Sequence, residues 1–272
     1  MQFQHTISPI GLDLLQARGL TDDRAVHCFT TRRGGVSIGH LSSLNLGPSR
    51  GDRPENVTEN FRRVCAALGT DPKALVLSHQ VHRDNIRVCT MADAGKGYCV
   101  VRDYDADGLV TDVPGLTLTI FGADCIPILF YDPVRRVVGA CHGGWRGTAL
   151  DIAGKTVRKL REVYGSNPAD LRCAIGPGIC AKCFETDADV PEAMTAALGT
   201  LCRECITPLS GERYQVDLKG IHGRCLEKAG VLAENIVISD DCTACRPELY
   251  WSHRKVGDRR GVQAALIALR GV

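Results

Sequence analysis

Three short stretches of this sequence carry residue types that could do chemistry together. "SHQVH" holds His79 and His82, "GADCIPI" holds Asp124 and Cys125, and "ACHGGWRG" holds His142. Each lies at the end of a hydrophobic run or between two, and strand ends are where sites are commonly built. Two imidazoles and a thiolate suit a zinc ion, with three protein ligands leaving a fourth position for water or substrate, the arrangement of catalytic rather than structural zinc. The plainer alternatives are a satisfied strand-end histidine and a Cys125 that only packs. Asp124, beside Cys125, could act as a general base or orient a histidine, or simply cap a turn.

The glycines of "HGGWRG" permit positive φ and close backbone approach, and the helical pattern from about Thr148 offers an N-terminus suited to an anion. Arg146, and Arg32 in "TTRRGGVS", could add the fixed positive charge a phosphate requires. The alternatives are a tight turn anchored by Trp145 and two solvated arginines.

Three cysteine pairs have the spacing of metal knuckles: Cys180 and Cys183, Cys202 and Cys205, Cys242 and Cys245. Two such pairs could close a structural four-cysteine zinc site. With fourteen cysteines in the chain some pairs arise by chance, and none sits in a compact zinc-ribbon context. Most cysteines read as reduced, buried small hydrophobes.

These residues need elements to hold them. Val57, Phe61, Val64 and Leu68 recur at helical spacing, with Gly69 as a stop, and Ala153, Val157, Leu160 and Tyr164 repeat the pattern. Strand-like runs lie at 74–78, 85–89, 108–111, 116–122, 126–132, 136–141, 172–176, 235–239 and 262–269. "IPILFY", apolar on both faces, suits a strand covered on both sides, so the fold class is α/β with mixed or paired sheets under helices. No linker or compositional break divides the chain, and residues 1–272 read as one domain.

Thirty-three Lys and Arg against thirty-one Asp and Glu, with no basic run, leave no electrostatic footprint for nucleic acid or an anionic membrane. No stretch has the length of a membrane span, and the first residues lack a signal-peptide pattern, so a cytoplasmic protein with a small polar ligand is expected. The sequence leaves a homo-oligomer open.

The ordered series "TRRGGVS", "SLNLG", "HQVH", "DADGLVT", "GADCIPILFYD", "ACHGGWRG", "AIGPGI" and "CTACRPELYWSHR" resembles the YfiH-type laccase-domain family over nearly the whole chain. The resemblance implies a single α/β domain of layered mixed sheets, related to the catalytic domain of cytotoxic necrotizing factor toxins. It also implies a zinc site on His79, Cys125 and His142. The activities it implies are zinc-dependent phosphorolysis of inosine, adenosine, guanosine and methylthioadenosine, with adenosine deamination in the same site. Alternatives attached to the family are copper-dependent polyphenol oxidation and a hydrolase editing cell-wall precursors, with Cys125 as nucleophile and His142 as base.

A multicopper cluster needs about ten imidazoles in His-x-His pairs, whereas this chain has eight histidines and no such pair. Zinc is therefore the expected metal and copper the weaker alternative. His82, at odd spacing from His79, would face away from the site in a strand. Val262 stands where members of the family commonly carry an arginine, which leaves Arg259 or Arg260 as substitutes for a phosphate role. A non-enzymatic, zinc-stabilised binding module built on the CxxC pairs is the remaining reading.

Overall fold

The computed structural model describes residues 1–271. The chain opens with strands β1 (Gln2–Ile7), β2 (Asp13–Arg18) and β3 (Ala25–Thr30), then helix α1 (Pro54–Leu68). Short strands β4 (Leu75–Leu77) and β5 (Ile86–Val88) bracket the loop that carries His79 and His82. The middle of the chain runs β6 (Gly108–Thr111), β7 (Thr117–Gly122), β8 (Ile126–Asp132) and β9 (Val137–Gly143), then α2 (Trp145–Ala149) and α3 (Ile152–Tyr164). Beyond them come β10 (Arg172–Ile175), β11 (Glu185–Thr186), α4 (Asp189–Leu198), β12 (Ile206–Pro208) and β13 (Tyr214–Val216). The last elements are α5 (Leu218–Lys228), β14 (Ile236–Ile238), α6 (His253–Val256) and β15 (Gln263–Leu269).

Two mixed six-stranded sheets result, in the orders β1-β2-β3-β15-β7-β4 and β14-β10-β8-β9-β6-β5, with a small third sheet β11-β13-β12. The two large sheets stack face to face under helices on both sides. Side-chain alternation along β8 shows why. Leu129 and Tyr131 join the core between the sheets with Phe29, Leu118, Ile120 and Ile267, while Ile126, Ile128 and Phe130 join the core under α3 and α5 with Val157, Leu160 and Ile221. On the opposite outer face, Phe61 and Val64 of α1 cover Leu266 of β15. A strand buried on both faces must be apolar throughout, which accounts for "IPILFY".

Both predicted helices form, and each ends at a left-handed glycine, Gly69 at φ 69° and Gly165 at φ 68°. The helix expected from Thr148 does not form as one piece. It starts at Trp145, stops after Ala149, and restarts at Ile152 behind Asp151, which takes φ 57° and caps Gly154 with its side chain. The "GGWRG" turn therefore leads into only a five-residue helix, too short to offer an anion the dipole of a full helix. No helix among the described residues is long and apolar enough to cross a membrane.

Candidate metal and anion site

Sheet register brings the chemistry-bearing residues to one edge. Ile126 pairs with Gly143, so Cys125, one residue ahead of β8, meets the His142 end of β9. Gly108 pairs with Cys141, which sets Asp107 opposite His142. Gly108 also pairs with Ile86, so the loop 79–85 is drawn to the same place.

The donors that converge there are His82, Cys125 and His142, with one ligand atom from each within 4.8 Å of the others. The two rings meet edge to face with centroids 4.8 Å apart. His79 borders the same cavity but is not in the group: its exposed ring is held by Asp105, with Nδ1 2.7 Å from Oδ1. This corrects the choice of His79 as metal ligand. Strand alternation would face His82 away from the site, but the strand ends at Leu77, and His82 takes φ 58°, which turns its ring inward.

Asp107, fully buried, organises the site. Its Oδ2 accepts the Val81 and Arg83 amides at 3.0 and 2.9 Å, and its Oδ1 accepts the His82 amide at 3.1 Å. The same Oδ1 lies 2.9 Å from Nδ1 of His142. Burial alone would raise its pKa, but the His142 ring and the Arg83 and Val81 amides outweigh it and keep the carboxyl below its usual range. His142 thus gives its Nδ1 proton to a carboxylate and turns Nε2 toward Cys125, the orientation metal-ligating histidines usually have. Burial would depress His142, yet Cys125 and Asp107 lift it to about 9, a proton that a metal ion would have to displace. Partial burial and the neighbouring His142 ring hold His82 below its ordinary value, which favours a free imidazole lone pair. Asp107 lies inside "DADGLVT", but no residue-type pattern in the sequence marks it as a partner of His142.

The glycines of "HGGWRG" serve close approach and not positive φ. Gly144 sits at φ −69°, and a Cβ there would lie 2.6 Å from Nδ1 of His82 and 3.3 Å from Sγ of Cys125. A Cβ on Gly143 would run into Nε2 of the fully buried His222.

A cavity of about 230 Å³ opens over the three donors, walled also by Arg50, Arg102, Phe121, Arg260 and Val262. Arg260 is the group most in need of a partner. Its Nε and Nη1 are buried with no hydrogen-bond partner among the described residues, and burial, with Arg50 nearby, depresses its pKa. An anion placed between Arg260 and the metal donors would relieve both penalties.

The other sequence-predicted residues lie elsewhere. Arg32 donates to the carbonyls of Ser42 and Pro247 and stacks 3.8 Å from the Trp251 ring, outside the cavity. Arg146 stacks on Trp145 and lines a separate surface hollow that shares only His82 with the site. The structure brings neither expected phosphate-binding arginine to the cavity, because each guanidinium is drawn to an adjacent indole face. Asp124, at φ 90°, accepts Thr243 Oγ1 at 2.7 Å and the Arg254 amide at 2.6 Å. Both of its oxygens accept hydrogen bonds that hold the bend presenting Cys125, the geometry of the turn-capping alternative.

A family model described as multi-copper polyphenol oxidoreductase laccase matches residues 26–270, and the chain belongs to this family. Among its relatives, the purine nucleoside phosphorylase YlmD of Bacillus subtilis is 34% identical over 247 residues, covering 89% of this chain and 87% of that protein. The crystal structure of the YfiH protein of Bacillus licheniformis superposes with a TM-score of 0.91 at 33% identity, over 98% of this chain and 99% of that one. That of YlmD from Geobacillus stearothermophilus gives 0.90 at 34% identity, with the same coverage of both chains.

Proposed function

We propose that this protein cleaves purine nucleosides with phosphate, holding a zinc ion on His82, Cys125 and His142 and receiving the phosphate on Arg260 and Arg50. The observation that carries this reading is the placement of three ligating side chains and an unpartnered, buried guanidinium around one cavity. Relatives that bear the name purine nucleoside phosphorylase, such as that of Deinococcus radiodurans at 36% identity over 260 residues, support the same reaction class.

Two nitrogens and a sulfur form a set that zinc accepts with an open position. When bound, such an ion supplies a Lewis acid that polarises a ligated oxygen and lowers its pKa. The chain's own residues do the rest. Cleaving the N-glycosidic bond builds positive charge on the ribose while phosphate attacks C1′. Arg260 and Arg50 hold the anion at the cavity wall, and Asp107 fixes the His142 ring through Nδ1. Phe121 and Val262 supply apolar surface for the purine. Adenosine, guanosine, inosine and methylthioadenosine share the bond that breaks. Adenosine deamination belongs to the same site, with water adding at C6 and the 6-amino group leaving as ammonia, in place of phosphate attack at C1′.

Copper fits less well than zinc. His27 and His222 are buried and do not line the cavity, and the three-donor group is the only histidine-containing metal cluster among the described residues. A second reading, hydrolysis of cell-wall precursors by Cys125 with His142 as its base, is favoured by the Cys125–His142 contact that lifts the imidazole pKa.

The deciding experiment is product analysis with inosine. Hypoxanthine release is expected only when phosphate is present, to be abolished in Cys125→Ala and His82→Ala and largely kept in His79→Ala. Full turnover in Cys125→Ala would refute the proposal. Activity that survives complete metal removal, with a trapped thioester on Cys125, would establish the hydrolase instead.

A further inference from the structure

Two of the three CxxC pairs, 62 residues apart in sequence, meet in space. The cause is the parallel pairing of β10 with β14, which aligns Ile175 with Ile238 and sends the two following loops out at the same sheet edge. A bridge between Gly178 and Cys242 continues the pairing. Cys180 and Cys183 then close on Cys242 and Cys245, with all four sulfurs within 4.8 Å of one another. The third pair does not join: Cys202 and Cys205 are packed in the core under α5.

The geometry points to a structural zinc ion held by Cys180, Cys183, Cys242 and Cys245, a site separate from the His82, Cys125, His142 group and independent of the reading given to it. Four thiolates at 2.3 Å from one tetrahedral ion lie about 3.8 Å apart. Here Cys183 and Cys245 are 3.4 Å apart and Cys180 and Cys245 4.0 Å. A disulfide would bring two of the sulfurs to about 2.0 Å, and all four cysteines are free. The backbone is also shaped for a knuckle. The Cys183 and Phe184 amides turn back to the Cys180 carbonyl at 3.0 and 2.9 Å, and the Cys180 amide donates to Cys242 Sγ at 3.2 Å.

Four thiolates on one dication leave a net negative charge, and a cation stands beside them. Lys219 is buried and donates to the carbonyls of Ser239 and Asp241, the latter adjacent to Cys242. The clip also reaches the other site through the backbone. Ile179 donates its amide to the Asp124 carbonyl at 2.8 Å, and Thr243 holds the Asp124 carboxylate. Clamping residues 178–183 to 242–245 therefore fixes the bend that presents Cys125.

The test is metal counting on the full chain, purified with zinc and without chelator, by native mass spectrometry and elemental analysis. In Cys125→Ala, where the three-donor group is broken, one zinc per chain should remain. Adding Cys245→Ser, a change at an exposed position, should remove it and lower the melting temperature, and Cys245→His, which keeps four ligands, should restore it. Cobalt loaded into the Cys125→Ala chain should give intense thiolate-to-cobalt charge-transfer absorption. A Cys125→Ala chain that folds and carries no zinc, or one whose zinc is indifferent to both Cys245→Ser and Cys183→Ser, overturns the proposal. Iron in place of zinc after expression with both metals overturns the choice of ion.

Discussion

At the scale of single residues, the site turns on two groups that contact the reacting machinery without being its obvious members. Asp107 uses both carboxylate oxygens against donors, three backbone amides and the His142 ring. Asp107→Asn keeps the shape but sets an N–H₂ group against donors whichever way the amide is turned. Metal affinity should fall roughly 10- to 100-fold, as for other partners of metal-bound histidines. Competition with a zinc chelator measures it, and unchanged affinity would mean the His142 ring needs no such partner. Arg260 gives a second prediction. A hydrogen bond to a charged group is worth about 1.5–3 kcal/mol, so Arg260→Met should raise the KM for phosphate by about 10- to 100-fold and leave the KM for the nucleoside within a few-fold. A change confined to the nucleoside would move Arg260 to the other half of the cavity. The donor types of the site, two imidazoles and a thiolate, were legible in the sequence. Which histidine of "SHQVH" belongs was not, since the choice depends on a left-handed residue in a loop and not on strand alternation.

At the scale of elements, "HGGWRG" is a strand end whose two glycines keep space open for neighbouring imidazoles. Gly144→Ala should push His82 off its position and cost metal affinity and turnover, while the melting temperature shifts by only a few degrees, because the cavity side can give way. Gly143→Ala meets the buried His222 instead and should cost about 1–3 kcal/mol of stability by overpacking. Thermal melts beside zinc titrations of both variants separate the two roles, and equal destabilisation would contradict them. All nine strand-like runs read from the sequence fall on strands; β7, β8 and β9 stand out most because a strand covered on both faces leaves a long apolar run. The first three strands stayed hidden: β1 is a largely exposed edge of polar composition, while β2 and β3, though mostly buried, carry Asp13, Gln16 and His27 among their apolar residues and so show no continuous apolar run. β11, β12 and β13, of two or three residues, are too short to show any period. The CxxC pairs could be seen but not matched, for their partnership depends on the parallel pairing of β10 with β14.

At the scale of the whole molecule, two buried histidines outside the cavity lining tie stability to pH. His27 in β3 accepts the Ala17 amide on Nε2 and meets Thr21 Oγ1 through Nδ1. His222 in α5 touches Thr148 Oγ1 with Nε2, and its Nδ1 has no partner among the described residues. Burial depresses His27 to about 4 and His222 to about 3. Both are neutral in the folded chain, whereas in the unfolded chain each takes up a proton near pH 6.5. The unfolded state therefore binds more protons between about pH 6.5 and 4, and stability must fall as pH drops through that window. For His27 alone the shift corresponds to about 3 kcal/mol between pH 7 and pH 4. Carboxylates such as Glu59, held down to about 2 by Arg62 and Arg63, lose their contribution only at lower pH. The melting temperature should decline steadily from pH 7 to pH 4.5, and His27→Gln, whose amide can still accept from Ala17, should flatten that decline. Equal slopes in the two chains, measured with the metal sites stripped so that metal release on acidification does not enter, would show that His27 is not the group responsible.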